Sequence, residues 1–491
     1  MKLRNNGLNA WIGISCAFGC CLPPHAAFAE DGGVLSRFVG HYLGEWGAPP
    51  KSDPNAPPSR WPETLLPPAP QSTPPYPFSD WPFGGASTIG ATVPNSQGGA
   101  LMKALAPTDF GKWLAANNVE IYGWVNSGGN ISNAQDRKAG NFPAAYMYKP
   151  NVIQLDQAVL YVERLPNTVQ RERIDWGFRA SAIYGENYRY TTSYGIATYQ
   201  LQKYNAYNGY DFPMLYGELY VPWIGQGTLF RAGRFISVPD IEAQLAPNNY
   251  MYSHSMTYAY DNYTNWGVIA STQLSKNWMI QIGLLDGTEV APWVGSKQDP
   301  GKQATVVGCV RWNSDSANDG LYVCANGIND GRFGYNNLQW YGGTYYHKFS
   351  DKWHISAEYW HMHQREVPDV NNADPTPFDW MKNGPFRAVC PQGQAKCTAE
   401  EWAALAYLNY KWTPMDNVSW RVELFDDLQG QRTGTAAKYF NYAIGWQHWF
   451  SPSVLFRPEV AWYTTLDGKQ AFDAGTREKL TVFSADVIWK F

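Results

Sequence analysis

Residues Leu480 to Phe491 read LTVFSADVIWKF. Successive side chains of a strand point to opposite faces. Thr481, Phe483, Ala485, Val487, Trp489 and Phe491 therefore share one face, and Leu480, Val482, Ser484, Asp486, Ile488 and Lys490 share the other. The first face is apolar and turns aromatic toward its end; the second holds both charges. An amphipathic last strand ending on an aromatic residue is the pattern of the closing strand of a bacterial outer-membrane β-barrel. Trp489 and Phe491 would then be the signal read by the barrel-assembly machinery. Many soluble sheet proteins also end on a strand, so the rest of the chain has to repeat the pattern.

From about Asn118 onward it does. Ile174, Trp176, Phe178, Ala180, Ala182 and Tyr184 oppose Asp175, Gly177, Arg179 and Ser181. Trp278, Ile280, Ile282 and Leu284 oppose Gln281 and Gly283; Val418, Trp420, Val422 and Leu424 oppose Ser419, Arg421, Glu423 and Asp427. Val454, Phe456, Val460 and Trp462 oppose Arg457, Glu459 and Tyr463. The charges stay on one face from segment to segment. Segments of this kind, each of roughly ten residues and separated by turns, number about sixteen. Short connections such as Pro166–Arg173, Ile224–Gly227, Ser350–Lys352 and Ser451–Ser453 alternate with mostly long ones such as Asn133–Asn151, Thr192–Pro213, Val238–Thr264 and Pro368–Ala399. The expected fold is all-β: a transmembrane antiparallel β-barrel over 118–491, with short periplasmic turns, long outer loops and both termini in the periplasm.

Composition fits. Mean hydropathy is −0.41, and past the N-terminus no run approaches the ~18 apolar residues of a spanning helix. Alternating barrel strands average out as polar, so a barrel stays open. Aromatics make up 16% of the chain, with 23 Trp and 32 Tyr, as two interfacial girdles require; a carbohydrate-binding protein is the other reading. Met1 to Ala29 reads as a signal peptide, with Lys2 and Arg4 before an apolar core and Ala27-Phe28-Ala29 as the cleavage site. Its removal leaves 36 basic against 42 acidic residues, a net charge of −6, which argues against a nucleic-acid partner.

Residues 30–117 read as a periplasmic lead-in. Leu35, Phe38, Val39, Tyr42, Leu43 and Trp46 recur at helical spacing, predicting a helix over Val34 to Trp46, packed on the protein or lying on the bilayer. Pro49 to Pro94 is too rich in proline for helix or sheet. Leu101 to Asn117 predicts one or two helical turns, with Asp109 as N-cap. Four cysteines follow the signal. Cys390 and Cys397 can staple a loop, and Cys309 and Cys324 lie almost symmetrically about the turn 314–320, as cross-strand partners would. The Cys-His spacing of a zinc site is absent, and neither metal nor cofactor is expected.

A sixteen-stranded barrel encloses a channel that its own wall side chains do not fill, so function rests on what narrows it. The long connection VPDIEAQLAPNNY, 238–250, continuing through His254-Ser255 to Asp261, is the candidate. Folded inward, it would place Asp240 and Glu242 on one side of a pore constriction, with Arg231, Arg234 and Arg179 facing them; an external loop is the competing reading. Strict alternation cannot put Arg231 and Arg234 on one face, but a bulge at Gly233 could. Asp175, Arg421, Glu423, Asp427, Arg457, Glu459, Asp486 and Lys490 are expected in the lumen wall, largely as satisfied pairs. His354, Ser356 and Glu358 share an inward face, and His254 precedes Ser255; both are weak hints of a nucleophile and base. Tyr188, Tyr190, Tyr250, Tyr252 and Tyr258 could form a sugar-stacking ladder, or simply pack loops.

Four stretches carry a resemblance: PPYPFSDWPFGG (74–85), VEIYGWVNSGGNIS (119–132), GRFISVPDIEAQLAPNNYMYSHS (233–255) and the closing strand. In these the mature chain resembles the β-barrel porin-2, or OmpL-like, group of Gram-negative outer-membrane porins. The resemblance implies an outer-membrane diffusion channel for ions and small polar solutes and names no ligand. The chain is thus expected to be a porin, with a closed-lumen binding or adhesion barrel as the alternative and a barrel hydrolase behind it. Outer-membrane lipid, the assembly machinery and small polar solutes are the expected partners, with a homotrimer as one assembly.

Overall fold

The computed structural model describes residues 32–48, 60, 89–90, 99–371 and 387–491, apart from 145, 193–194, 237–239, 263, 289–290, 294–303, 317 and 329–336. The expected signal peptide and most of the proline-rich stretch 49–94 lie outside the described residues.

Strands β1 (Glu120–Ser132), β2 (Ile153–Arg164), β3 (Asp175–Gly185), β4 (Gly209–Asp211), β5 (Leu215–Val221), β6 (Thr228–Ile236), β7 (Thr264–Gln273) and β8 (Trp278–Thr288) form one half of a single sheet. The other half is β9 (Thr305–Asn313), β10 (Asp319–Ile328), β11 (Gln339–Lys348), β12 (Trp353–Pro368), β13 (Lys396–Thr413), β14 (Asp416–Asp427), β15 (Ala437–Ser451), β16 (Val454–Thr465) and β17 (Lys479–Lys490). Every ladder is antiparallel and joins chain neighbours except β3–β5 and the closing pair, in which β1, already paired with β2, also pairs with β17 from Trp124↔Lys490 to Ser132↔Val482. β4 and β5 pair with different halves of β3 and share one place. The result is a closed sixteen-stranded antiparallel barrel, which leaves no sheet edge to satisfy.

The faces follow the sequence alternation. In β17, Leu480, Val482, Asp486, Ile488 and Lys490 are buried toward the lumen, while Phe483 and Trp489 are exposed outward. Ile282, Leu284, Val323, Tyr359 and Leu424 are likewise exposed, forming the apolar outer band. At the short-turn end this band carries a repeated unit. The Tyr345 hydroxyl and His347 Nδ1 converge on Asp319 Oδ1 at 2.9 and 2.6 Å, and Trp446 Nε1 and His448 Nδ1 converge on Asp416 Oδ1 at 3.0 and 2.7 Å. Phe349 and Phe450 meet the two imidazoles edge-on. Rings with one apolar and one polar side suit the headgroup level.

Closure depends on Gly123. It exchanges backbone hydrogen bonds with Phe491 at 2.9 and 3.2 Å, and a Cβ there would lie 2.0 Å from the Val159 carbonyl oxygen and 2.7 Å from the Phe491 ring. Both expected disulfides form: Cys309–Cys324 directly across β9 and β10, and Cys390–Cys397 over seven residues.

Three helices precede the barrel: α1 (Val34–Gly44), α2 (Ala100–Leu105) and α3 (Asp109–Ala116). α1 packs on the body of the protein: Arg37 Nε donates to the Ala104 carbonyl at 3.0 Å, and Trp46 stacks on Phe450. The cap of α3 is Thr108, whose Oγ1 accepts from the Gly111 amide at 2.9 Å, and not the predicted Asp109, which is the first helical residue. Arg60 donates to the carbonyls of Thr168 and Gln226, on two short turns.

Candidate functional site: the inner loop

The connection after β6 turns into the barrel. Ile241 to Tyr258 is buried at every residue, although the segment holds an acid, amides, hydroxyls and an imidazole. Such a segment is stable inside only if its polar groups are matched, and the wall matches them. Glu358 on β12 accepts from the Ile241 amide at 2.8 Å. Gln157 on β2 donates to the Gln244 carbonyl at 2.6 Å and accepts from the Ala246 amide at 3.1 Å. Arg457 on β16 donates to the carbonyls of Ala246 and Asn249 at 2.8 and 3.0 Å. Arg421 on β14 donates to Ser253 O and Oγ, both at 2.9 Å. Glu459 accepts from the Ser253 amide at 3.0 Å, and Glu423 accepts from the Thr257 amide and hydroxyl.

Of the charges expected in the lumen wall, Arg421, Glu423, Arg457 and Glu459 anchor this loop. Asp486 binds Arg457 and accepts from Asn126 at 2.7 Å. Asp427 caps the turn 431–433 through backbone amides. Lys490 is buried over the Trp449 ring at 4.3 Å. Asp175 sits at the rim, tied to Arg164 at 2.9 Å and to the Asn167 amide.

Asp240 and Glu242 have different surroundings. Glu242 accepts from the Ser255 amide and hydroxyl, both at 2.8 Å, and from the Tyr407 hydroxyl, and lies 3.6 Å from Arg421. Burial pushes its pKa up; Arg421 and these donors oppose the shift. Asp240 converges with Asp261 and Glu358, their oxygens within 4.8 Å. Enclosure and the two neighbouring carboxyls hold Asp240 well above the ordinary carboxyl value. Three acids this close share protons or a hard cation.

The arginines predicted to oppose these acids are paired along the wall. Arg179 pairs with Glu163, Arg231 with Glu218 at 2.8 Å, and Arg234 with Asp211 at 2.9 Å. Each has a wall acid within reach. Arg231 and Arg234 are both buried, but the ladders run through Gly233 without an inserted residue. The break is a backbone turn at Gly233, φ +134°, rather than the predicted bulge.

The suspected catalytic groups also serve the loop. His354 Nε2 and Ser356 Oγ both bond the Tyr250 hydroxyl, at 2.9 and 3.1 Å. His254 bonds Asn249 and the Ala243 carbonyl while Ser255 bonds Glu242, and burial pushes His254 down to about 3. The tyrosines pack: Tyr146 stacks between Tyr190 and His254, and the Tyr252 hydroxyl donates to Asp156 at 3.2 Å. Sequence reading missed Gln157, Tyr407 and Gly128. The inward face of Gly128 is occupied by Tyr252, whose ring a Cβ would meet at 2.3 Å. A lone glycine in an inward row was the available signal.

A search of curated proteins gives no match. Solved structures of similar shape include an anion-selective porin from Comamonas acidovorans, 11% identical, covering 76% of this chain and 99% of its own, with a TM-score of 0.48. The outer-membrane channel DcaP of Acinetobacter baumannii is 10% identical, with coverages of 76% and 97% and a TM-score of 0.45. OmpT of Vibrio cholerae is 9% identical, with coverages of 76% and 97% and a TM-score of 0.42. The model of the family described as "Putative beta-barrel porin-2, OmpL-like" matches residues 118–491. That span is the whole barrel, from two residues before the first strand to Phe491, and the chain belongs to this family of β-barrel porins.

Proposed function

We propose that the protein is an outer-membrane porin, through which ions and small hydrophilic solutes diffuse passively past the inner loop. One observation carries this reading: a closed barrel whose inward charges on β12, β14 and β16 hold a buried polar loop across its lumen. The wall from β3 to β10 offers Arg179, Arg231 and Gln281 on its inner face, and the solute path runs between that wall and the loop. A narrow polar path of this kind selects by size and charge without a chemical step. The short turns and the lead-in face the periplasm in this reading.

The unbroken burial from Ile241 to Tyr258 favours a second reading, in which the loop seals the lumen and the barrel binds a ligand from one side. Single-channel recording of the purified protein in planar bilayers separates the two, with a sugar-swelling assay beside it. Stepwise openings support the porin; insertion without conductance overturns it in favour of the sealed barrel.

A further inference from the structure

Arg179, Arg231, Arg234, Arg421 and Arg457 each turn a buried guanidinium toward the lumen, and each meets an acid: Glu163, Glu218, Asp211, Glu242 and Asp486. Arg311 does not. It lies on the inner face of β9, immediately after the outward Val310, and is 6% exposed. Among the described residues it meets no acid, and its Nε has no acceptor. Beside it stand two more unmatched groups, the Tyr322 hydroxyl and Asn313 Oδ1. Tyr322 is its cross-strand partner on β10, and Thr344 is the next residue along the row. Arg311, Asn313, Tyr322 and Thr344 line one cleft of about 10 Å³.

A guanidinium withdrawn from bulk water without a counter-charge is costly. The wall matches the other five, so the gap at Arg311 is specific to this position. A planar two-pronged donor fits a carboxylate, and the tyrosine hydroxyl adds a third donor from the adjacent strand. The cleft has room for about one water, so it excludes a sugar ring, and a carboxylate meets the guanidinium from its lumenal side. We infer that Arg311, with the Tyr322 hydroxyl, forms a lumenal subsite for the carboxylate group of a small organic anion. The inference deepens the porin reading and rests on it for a route to the site.

The test uses full-length protein in detergent for calorimetry and in bilayers for current. Succinate is the probe, with inorganic phosphate and glucose as comparisons. Wild type binds succinate more tightly than phosphate and does not bind glucose. R311Q and Y322F weaken succinate, R311Q by on the order of tenfold or more, as loss of a charge-assisted pair would. R311K retains the charge and the reversal potential but loses succinate affinity, because the fork is gone. Absence of succinate binding in wild type, or equal affinity in wild type and R311Q, overturns the subsite even if the channel conducts. Phosphate bound as tightly as succinate overturns the carboxylate assignment. Arg311-dependent binding in a protein that never conducts leaves the subsite standing and sinks the porin reading. Heat-modifiable migration identifies folded variants; if R311Q does not fold, R311K and Y322F decide.

Discussion

Asp240 and Glu242 are separated by one residue, and their neighbours give them different charge behaviour. Glu242 faces Arg421, whereas Asp240 faces two other acids. The Asp240 pKa lies above the ordinary carboxyl value of about 3.9. Between that value and its raised one, the seated loop holds a proton that a released loop gives up. Stability of the seat is therefore greatest at low pH and falls as pH rises through that window. The expected result is a wild-type channel whose current grows or becomes noisier toward alkaline pH, with a flatter response in Asp240→Asn; identical pH profiles would refute it. At neutral pH, Glu242→Gln shifts the reversal potential toward anions, and Asp240→Asn alone does so much less. Arg421→Met leaves Glu242 buried without its cation, a loss of about 3–5 kcal/mol for such pairs. It should lower the unfolding midpoint and raise single-channel conductance through a loosened loop, both directly measurable.

At the scale of elements, the inner loop is held mainly by what the strands present to it. Its own sequence supplies polar atoms, and the strands supply the partners at fixed register. β1 also supplies space: Gly128 admits the Tyr252 ring. Gly128→Val should push Tyr252 off Asp156 and displace the loop while the barrel still closes. The check is altered conductance with unchanged heat-modifiable migration; an unchanged current would show that Tyr252 does not fix the loop. The strands themselves were legible, because a period of two with charges on one face leaves little choice of register. The seat was not legible, since Glu358, Gln157 and Arg457 lie on strands far apart in sequence.

For the whole molecule, closure joins β1 to β17 and the ends of the barrel to each other. Phe491 exchanges backbone hydrogen bonds with Gly123 and fills the space that residue leaves. Deletion of Phe491 should therefore reduce the amount of assembled, heat-modifiable barrel in the outer membrane; normal levels would count against its role as closing and assembly residue. The lead-in contacts the same end of the barrel, with Trp46 on Phe450 and Arg60 on the turns at Thr168 and Gln226.

By itself the sequence determined the strand count, the inward and outward faces and both cysteine pairs, and it marked the connection after β6 as the candidate for an inward loop. Each is a local or periodic property: alternation, turn spacing and the length of the connections. Tertiary structure alone decided which charge meets which. Arg231 and Arg234 read as partners for Asp240 and Glu242, yet Glu218 and Asp211 lie nearer once the sheet is closed. Pairing of buried charges depends on distance across the lumen, which barrel curvature sets and no single strand encodes. The same geometry leaves Arg311 without an acid among the described residues, a property that appears only when the neighbouring strands are in place.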